Sequence, residues 1–182
     1  MNVILWFMNL HMPDTVKKRG LRQLCEATAA GFEVDPPRFT RDSYEAELMD
    51  FAMFTKSAAG RALQRPASLP VVQIQLYHHA KVLGSALRRQ FRVRNKQEAL
   101  EAIRLVYRAI GIDLKADIHG SITVNRCFFA DYYPAYVCEL ISSVDAGMFT
   151  GLTGGEHLAF SERITSGCTY CKATVVFVEA KP

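Results

Sequence analysis

The chain has 182 residues and 49% hydrophobic content, enough for a sizeable core without disulfide support. Its 22 basic and 18 acidic residues leave a net charge of +4 drawn from local clusters, so no general affinity for nucleic acid is implied. Five cysteines, an odd number, without a leader pattern point to a reducing, cytoplasmic setting where thiols act as metal ligands, nucleophiles or core residues.

Met1 to Met12 is apolar, yet it has no basic residue ahead of it, no small-residue cleavage site and about half the length of a membrane span. Val3, Leu5 and Phe7 alternate with Asn2, Ile4 and Trp6. That pattern predicts a buried strand or a segment packed on a partner subunit, hence a homo-oligomer contact, and no membrane association.

Pro13-Asp14-Thr15 predicts a helix start, with Val16, Leu21, Leu24 and Cys25 as its apolar stripe and an end near Gly31. Lys17, Lys18, Arg19 and Arg22 fall mostly on the other face, which reads as a solvated surface ahead of an anion-binding patch. After the break at Asp35-Pro36-Pro37, Asp42 is expected to cap a long helix carrying Tyr44, Leu48, Phe51, Ala52 and Phe54 toward the core. Pro66 and Pro70 bracket a turn, a second long helix runs from Val71 to about Phe91, and Asn95 caps a third that ends at Gly111.

Beyond Asp113 the β-branched run from Gly120 predicts a strand into Arg126 and Cys127, and Pro134 then opens a helix to about Met148. Gly151-Leu-Thr-Gly-Gly reads as a flexible connection, because it lacks the Lys-Ser/Thr ending of a phosphate loop. His157–Ile164 and Thr169–Val178, joined across Thr165-Ser-Gly167, predict a β-hairpin. The expected architecture is one α+β domain over 1–182, with a helical layer at about 13–112 packed on a small antiparallel sheet within about 116–180.

Cys138, Ser142 and Asp145 are spaced i, i+4, i+7, so they share one helical stripe beside the apolar face of Val137, Leu140, Ile141, Val144 and Met148. Burial there perturbs a thiol and a carboxylate; the plainer alternative is a structural cysteine and an exposed aspartate. Cys127, at a strand end above a helix start, is the better nucleophile candidate, since a helix dipole favours a thiolate. Its alternative is a small core residue. Cys168-Thr-Tyr-Cys171 offers one short ligand pair, whereas structural zinc generally uses two, and it lacks the βαβ setting of a redox pair. No metal or cofactor is therefore expected. His78 and His79 lie mid-helix about 100° apart, either being able to act as a general base or simply to pack. Asp117, His119 and Glu162 are weaker candidates near the strands.

Taken together, Cys127-Phe-Phe-Ala, Cys138-Glu-Leu-Ile-Ser-Ser-Val-Asp145, Gly151-Leu, Leu158-Ala-Phe160 and Gly167-Cys-Thr-Tyr-Cys171 resemble the L-2-amino-thiazoline-4-carboxylic acid hydrolase family over about residues 120–178. Phe128 stands where that family commonly has proline, and Cys168 where it often has an acidic residue. The resemblance implies hydrolytic opening of a small substrate at a cyclic amidine-like carbon. Cys127, or Cys138, would be the nucleophile, Asp145 the acid/base, and a histidine or water would complete the step, with Ser142, Glu162 and Cys171 nearby. Direct activation of water by Asp145 is the alternative within the same site, and recruitment to a different displacement reaction is another. Similar cysteine patterns occur in vinyl-reductase-type domains that bind hydrocarbons without catalysis, which makes a sensory or ligand-binding domain the contrasting reading.

Overall fold

The computed structural model describes residues 2–39, 43–155 and 157–176. Among them, six helices are followed and interleaved by four strands: α1 Val3–Leu10, α2 Asp14–Gly31, α3 Tyr44–Leu63, α4 Leu69–Gln90, α5 Lys96–Ala109, β1 Ile112–Ala116, β2 Ser121–Cys127, α6 Ala135–Thr153, β3 His157–Glu162 and β4 Cys171–Val176. The fold is α+β, with the helices mostly N-terminal and a four-stranded antiparallel sheet C-terminal in the order β1-β2-β4-β3.

The N-terminal segment is a helix and not a strand. Asn2 caps it, its Oδ1 accepting from the backbone N–H groups of Ile4 and Leu5 at 3.2 and 3.4 Å. Only Leu5 is fully buried, while Ile4, Met8 and Met12 pack beside it. These positions follow the 3.6-residue period. Two-residue alternation is uninformative here because the alternate positions are apolar as well, and Val3, Trp6, Phe7 and Leu10 face outward.

Ser43 caps α3, its hydroxyl accepting from the Ala46 N–H at 3.2 Å; the expected cap Asp42 lies outside the described residues. Asn95 caps α5 as predicted, accepting from Glu98 N–H at 2.9 Å. The turn before α4 is a short 3-10 helix, Pro66–Ser68, and Pro70 sits in the first turn of α4, where its missing N–H costs nothing.

Two β-region expectations change. Ile112–Ala116 is an additional strand, its residues alternately buried and exposed and paired with β2 from Ile112↔Cys127 to Ala116↔Ile122. The C-terminal hairpin is present, but β4 also pairs with β2, so it extends a sheet and does not stand alone. Residues 177 and 178, the expected end of that hairpin, lie outside the described residues. The core face of the sheet is carried by Ile112, Leu114 and Ala116 with Ile122, Val124, Ala173 and Val175, all buried.

Gly151 is also helical. α6 continues to Thr153 and closes on Gly154 at φ +74, whose N–H returns to the Thr150 carbonyl at 2.9 Å. The reason is packing against α4. A Cβ on Gly147 would stand 2.1 Å from the Tyr77 carbonyl oxygen, and one on Gly151 2.3 Å from that of Lys81. From the other side, a Cβ on Gly84 would meet the Met148 carbonyl oxygen at 2.5 Å. Gly151, from the supposed connection, thus joins Gly147 and Gly84 in a seam that lets two helix backbones touch.

Candidate active site

β2 delivers Cys127 to the point where the sheet meets the helices, and a 3-10 turn, Phe128–Asp131, leads through Pro134 into α6. One stripe of α6 then presents Cys138, Ile141, Val144, Asp145 and Met148 to a cavity of about 80 Å³. α2 adds Leu24 and Thr28, α3 adds Phe51 and Thr55, and α5 adds Val106 and Tyr107, with Ile110 just beyond its end. Cys127, Cys138 and Asp145 are therefore brought together, as the sequence suggested.

Most other polar groups around the cavity are already engaged. The Thr28 hydroxyl donates to the Leu24 carbonyl at 2.8 Å. Thr55 bonds to the Phe51 carbonyl at 2.9 Å, and its oxygen also pairs with the Tyr133 hydroxyl. Tyr133 in turn stacks on Phe129, with ring centroids 5.3 Å apart. The groups left facing a bound molecule are the two thiols and the Asp145–Tyr107 pair.

Tyr107 is not among the residues the sequence singles out. Its hydroxyl donates to Asp145 Oδ1 at 2.8 Å, and its ring packs edge-on against Phe149 at 5.3 Å. A phenol four residues after Ile103, on the apolar face of a strongly amphipathic helix, carries the signal: a buried hydroxyl needs a polar partner. Arg163 escapes sequence reasoning too. It sits 4.5 Å over the Phe160 ring, and its charge acts on Asp145, Cys138 and Cys171.

Burial dominates the electrostatics. Loss of water raises the Asp145 carboxyl from 3.8 to about 6, against the Tyr107 hydrogen bond and the Arg163 charge, which both favour the carboxylate. Burial likewise pushes the Cys127 thiol up to about 12; backbone N–H groups of Phe129 and Ala130 oppose this, and the Asp145 charge adds to it. Cys138 is raised for the same leading reason. The expectation of a thiolate stabilised by a helix dipole at Cys127 is thus corrected. Only a one-turn 3-10 helix follows that residue, and desolvation outweighs its two N–H groups.

The supporting candidates lie elsewhere. His78 is exposed and His79 half-buried on α4, their rings edge-on to each other at 5.8 Å, and neither lines the cavity. The Ser142 hydroxyl turns back to the Cys138 carbonyl at 2.8 Å. Glu162 ends β3 opposite Lys172. Cys171 is buried at the start of β4, where its sulfur accepts from the Ile164 N–H at 3.3 Å, and it does not line the cavity. Asp117 and His119 are exposed in the β1–β2 turn, which the Asp117 carboxylate organises by accepting from the His119 and Ser121 N–H groups. Among the described residues no three His, Cys, Asp or Glu side chains converge as a metal site, and no helix is long and apolar enough to cross a membrane.

Comparison with known proteins returns no matching family model, no matching curated protein and no matching solved structure.

Proposed function

We propose that the protein is a small-molecule enzyme in which a buried thiol and a buried carboxyl act as one unit at an electrophilic carbon, in the manner of aminothiazoline carboxylate hydrolases. The observation that carries this reading is the Asp145 carboxyl. Burial raises it from 3.8 to about 6, Tyr107 holds it, and it shares a largely apolar cavity with Cys127 and Cys138. A group tuned close to neutrality can both take and return a proton at working pH.

Because the Cys127 thiol is protonated at neutral pH, attack proceeds with proton transfer and not from a standing thiolate. Sulfur forms a bond to the carbon of a C=N group, the thiol proton passes to Asp145, and the electron pair goes to nitrogen. Asp145 then protonates that nitrogen, and the bond from the same carbon to the departing ring heteroatom breaks, the heteroatom keeping the electron pair. A water oxygen next bonds to the carbon as the carbon–sulfur bond breaks, one water proton going to the departed heteroatom and the other restoring the thiol. A cationic amidinium would also donate a charge-assisted hydrogen bond to the Asp145 carboxylate. Cys138 is the alternative nucleophile in the same cavity. Five unpaired thiols suit a reducing, cytoplasmic setting, and the outward apolar face of α1 suits self-association.

Turnover of an aminothiazoline carboxylate by wild type, Cys127→Ser, Cys138→Ser and Asp145→Asn tests the proposal. Loss of at least a hundredfold in Asp145→Asn and in one cysteine variant is expected; full activity in all three variants removes the assigned roles. The second reading, a ligand-binding domain without chemistry, is favoured by the predominantly hydrocarbon lining of the cavity. It predicts ligand retention with no turnover by wild type.

A further inference from the structure

A second cavity lies against the first. It too holds about 80 Å³, and Leu24, Val106, Ile110 and Met148 line both. Among the described residues these four aliphatic side chains are what the two walls have in common, and none of them carries a group that must stay hydrogen-bonded. Met148 is unbranched and can change rotamer at little cost. The roof of the second chamber is Met8 and Met12, from α1 and the segment after it, again adaptable side chains.

The two ends of this space differ in charge. The inner end holds Asp145, whose Oδ1 is engaged by Tyr107, so that Oδ2 is the oxygen a ligand would meet. The outer chamber is lined by Lys17 and Arg19, with Gln23 and Gln90. Lys17 also pairs with Asp14 at 2.9 Å and lies 5.5 Å from the Tyr44 ring centroid, and neither of these partners lines the chamber. Arg19 is exposed. Between an acid at one end and bases at the other, the lining is almost wholly hydrocarbon.

We infer that the two chambers form one binding tunnel for an elongated small molecule with an aliphatic body of about six carbons, a cationic hydrogen-bond donor held at Asp145 and a carboxylate held at Lys17 and Arg19. The length follows from volume: together the chambers slightly exceed the roughly 150 Å³ that accommodates a benzene-sized apolar group. The polarity follows from the two ends, because each charged terminus of such a ligand meets the opposite charge and the middle meets no polar group left unpaired. This rests on the same cavity as the proposed chemistry and takes the cationic donor at Asp145 to be the amidinium proposed there, extended by an aliphatic body beyond the compact aminothiazoline ring, but it does not require the thiol to react.

Calorimetric titration of Cys127→Ser protein with 6-aminohexanoate, hexylamine, hexanoate and glycine reads the tunnel without turnover. The expected order places 6-aminohexanoate first, with hexylamine and hexanoate each at least tenfold weaker and glycine without measurable binding. Arg19→Ala, a surface change that leaves the fold intact, should weaken 6-aminohexanoate and hexanoate several-fold and leave hexylamine unchanged. Asp145→Asn should weaken both amines and spare hexanoate. Equal binding of glycine and 6-aminohexanoate, an Arg19→Ala effect that does not depend on the ligand carboxylate, or no binding of any probe at millimolar concentration would each overturn the inference. Binding in this pattern by a protein that turns over no substrate removes the thiol chemistry alone; turnover without chain-length dependence removes the tunnel alone.

Discussion

Tyr107 on α5 holds Asp145 on α6 through a 2.8 Å hydrogen bond, and that bond works against the burial that raises the carboxyl to about 6. The phenol itself is pushed well above its ordinary value by the same burial and by the Asp145 charge, so it stays a donor throughout the physiological range. Without it the carboxyl would titrate higher still. In Tyr107→Phe, the Asp145 titration followed by carboxyl-carbon NMR should move upward, and any activity that needs the carboxylate should move its acidic limb in the same direction. An unchanged midpoint would show that the hydrogen bond does not set the proton affinity of the site.

Stability should depend on pH through the same residue. The folded-state value of Asp145 is raised from 3.8 to about 6, so folding draws a proton onto the group. Its contribution is fully present below about pH 4 and is lost as pH rises through 6, a difference of about 3 kcal/mol at most. Asp145→Asn should accordingly stabilise the protein by about 2 kcal/mol at pH 7, with the gain shrinking toward zero near pH 4. Urea unfolding at the two pH values measures it. A variant less stable than wild type at pH 7 would contradict the burial argument.

Thiol reactivity follows from the same desolvation. With its thiol pushed up to about 12, Cys127 holds about a thousandfold less thiolate at pH 7.5 than a thiol of 9. Iodoacetamide, with labelled positions read by peptide mass spectrometry, should reach the partly exposed Cys168 first and Cys127 far later. Asp145→Asn removes a charge that raises Cys127, so labelling there should accelerate several-fold. Rapid labelling of Cys127 in the wild type would mean that the cavity is wetter than its lining implies.

Much of this arrangement was legible in the sequence where one local signal dominated. Asn95 before an amphipathic run, the β-branched residues of β2 and the i, i+7 placement of Cys138 and Asp145 on α6 each predicted what is observed, whereas Ser142 between them turns back to the helix backbone. Failures occurred where the deciding partner is distant in the chain. Leu5 looked like one of several alternating apolar residues until the core showed which face is covered. Ile112–Ala116 has only five residues and becomes a strand by pairing with β2. Gly151 and its neighbours looked like loop residues because nothing local reveals that the backbone of α4 lies against them. At the site, Cys127, Cys138 and Asp145 were found because their spacing is local, whereas Tyr107 and Arg163 reach the carboxyl from other elements.

The close helix contact gives a sharp contrast between glycines. Gly147→Ala puts a methyl carbon 2.1 Å from the Tyr77 carbonyl oxygen, which neither backbone can relieve, and should cost about 3 kcal/mol. Gly60→Ala on α3 meets nothing within 4 Å and should instead add about 0.5–1 kcal/mol, by helix propensity alone. Chemical denaturation of both variants checks the pair. Similar stability for the two would mean that α4 and α6 can separate freely.

That contact also gives the cavity around Asp145 a stiff wall, while the cavity beside it has a compliant one. Asp145 stands two residues before Gly147, on a stretch of α6 whose backbone rests on the Tyr77 backbone with only the Ala80 methyl beside it, leaving little to compress or re-pack. The neighbouring cavity, which shares Leu24, Val106, Ile110 and Met148 with the first, is bounded instead by a short helix and two methionines, Met8 and Met12, which can take up a different shape without disturbing that joint. Substitutions that reshape what the protein accepts can therefore accumulate on the compliant side, while the position of the titrating carboxyl stays where it is. For the proposed enzyme, specificity and chemistry would then occupy separate mechanical compartments, and each could drift during evolution without dragging the other along.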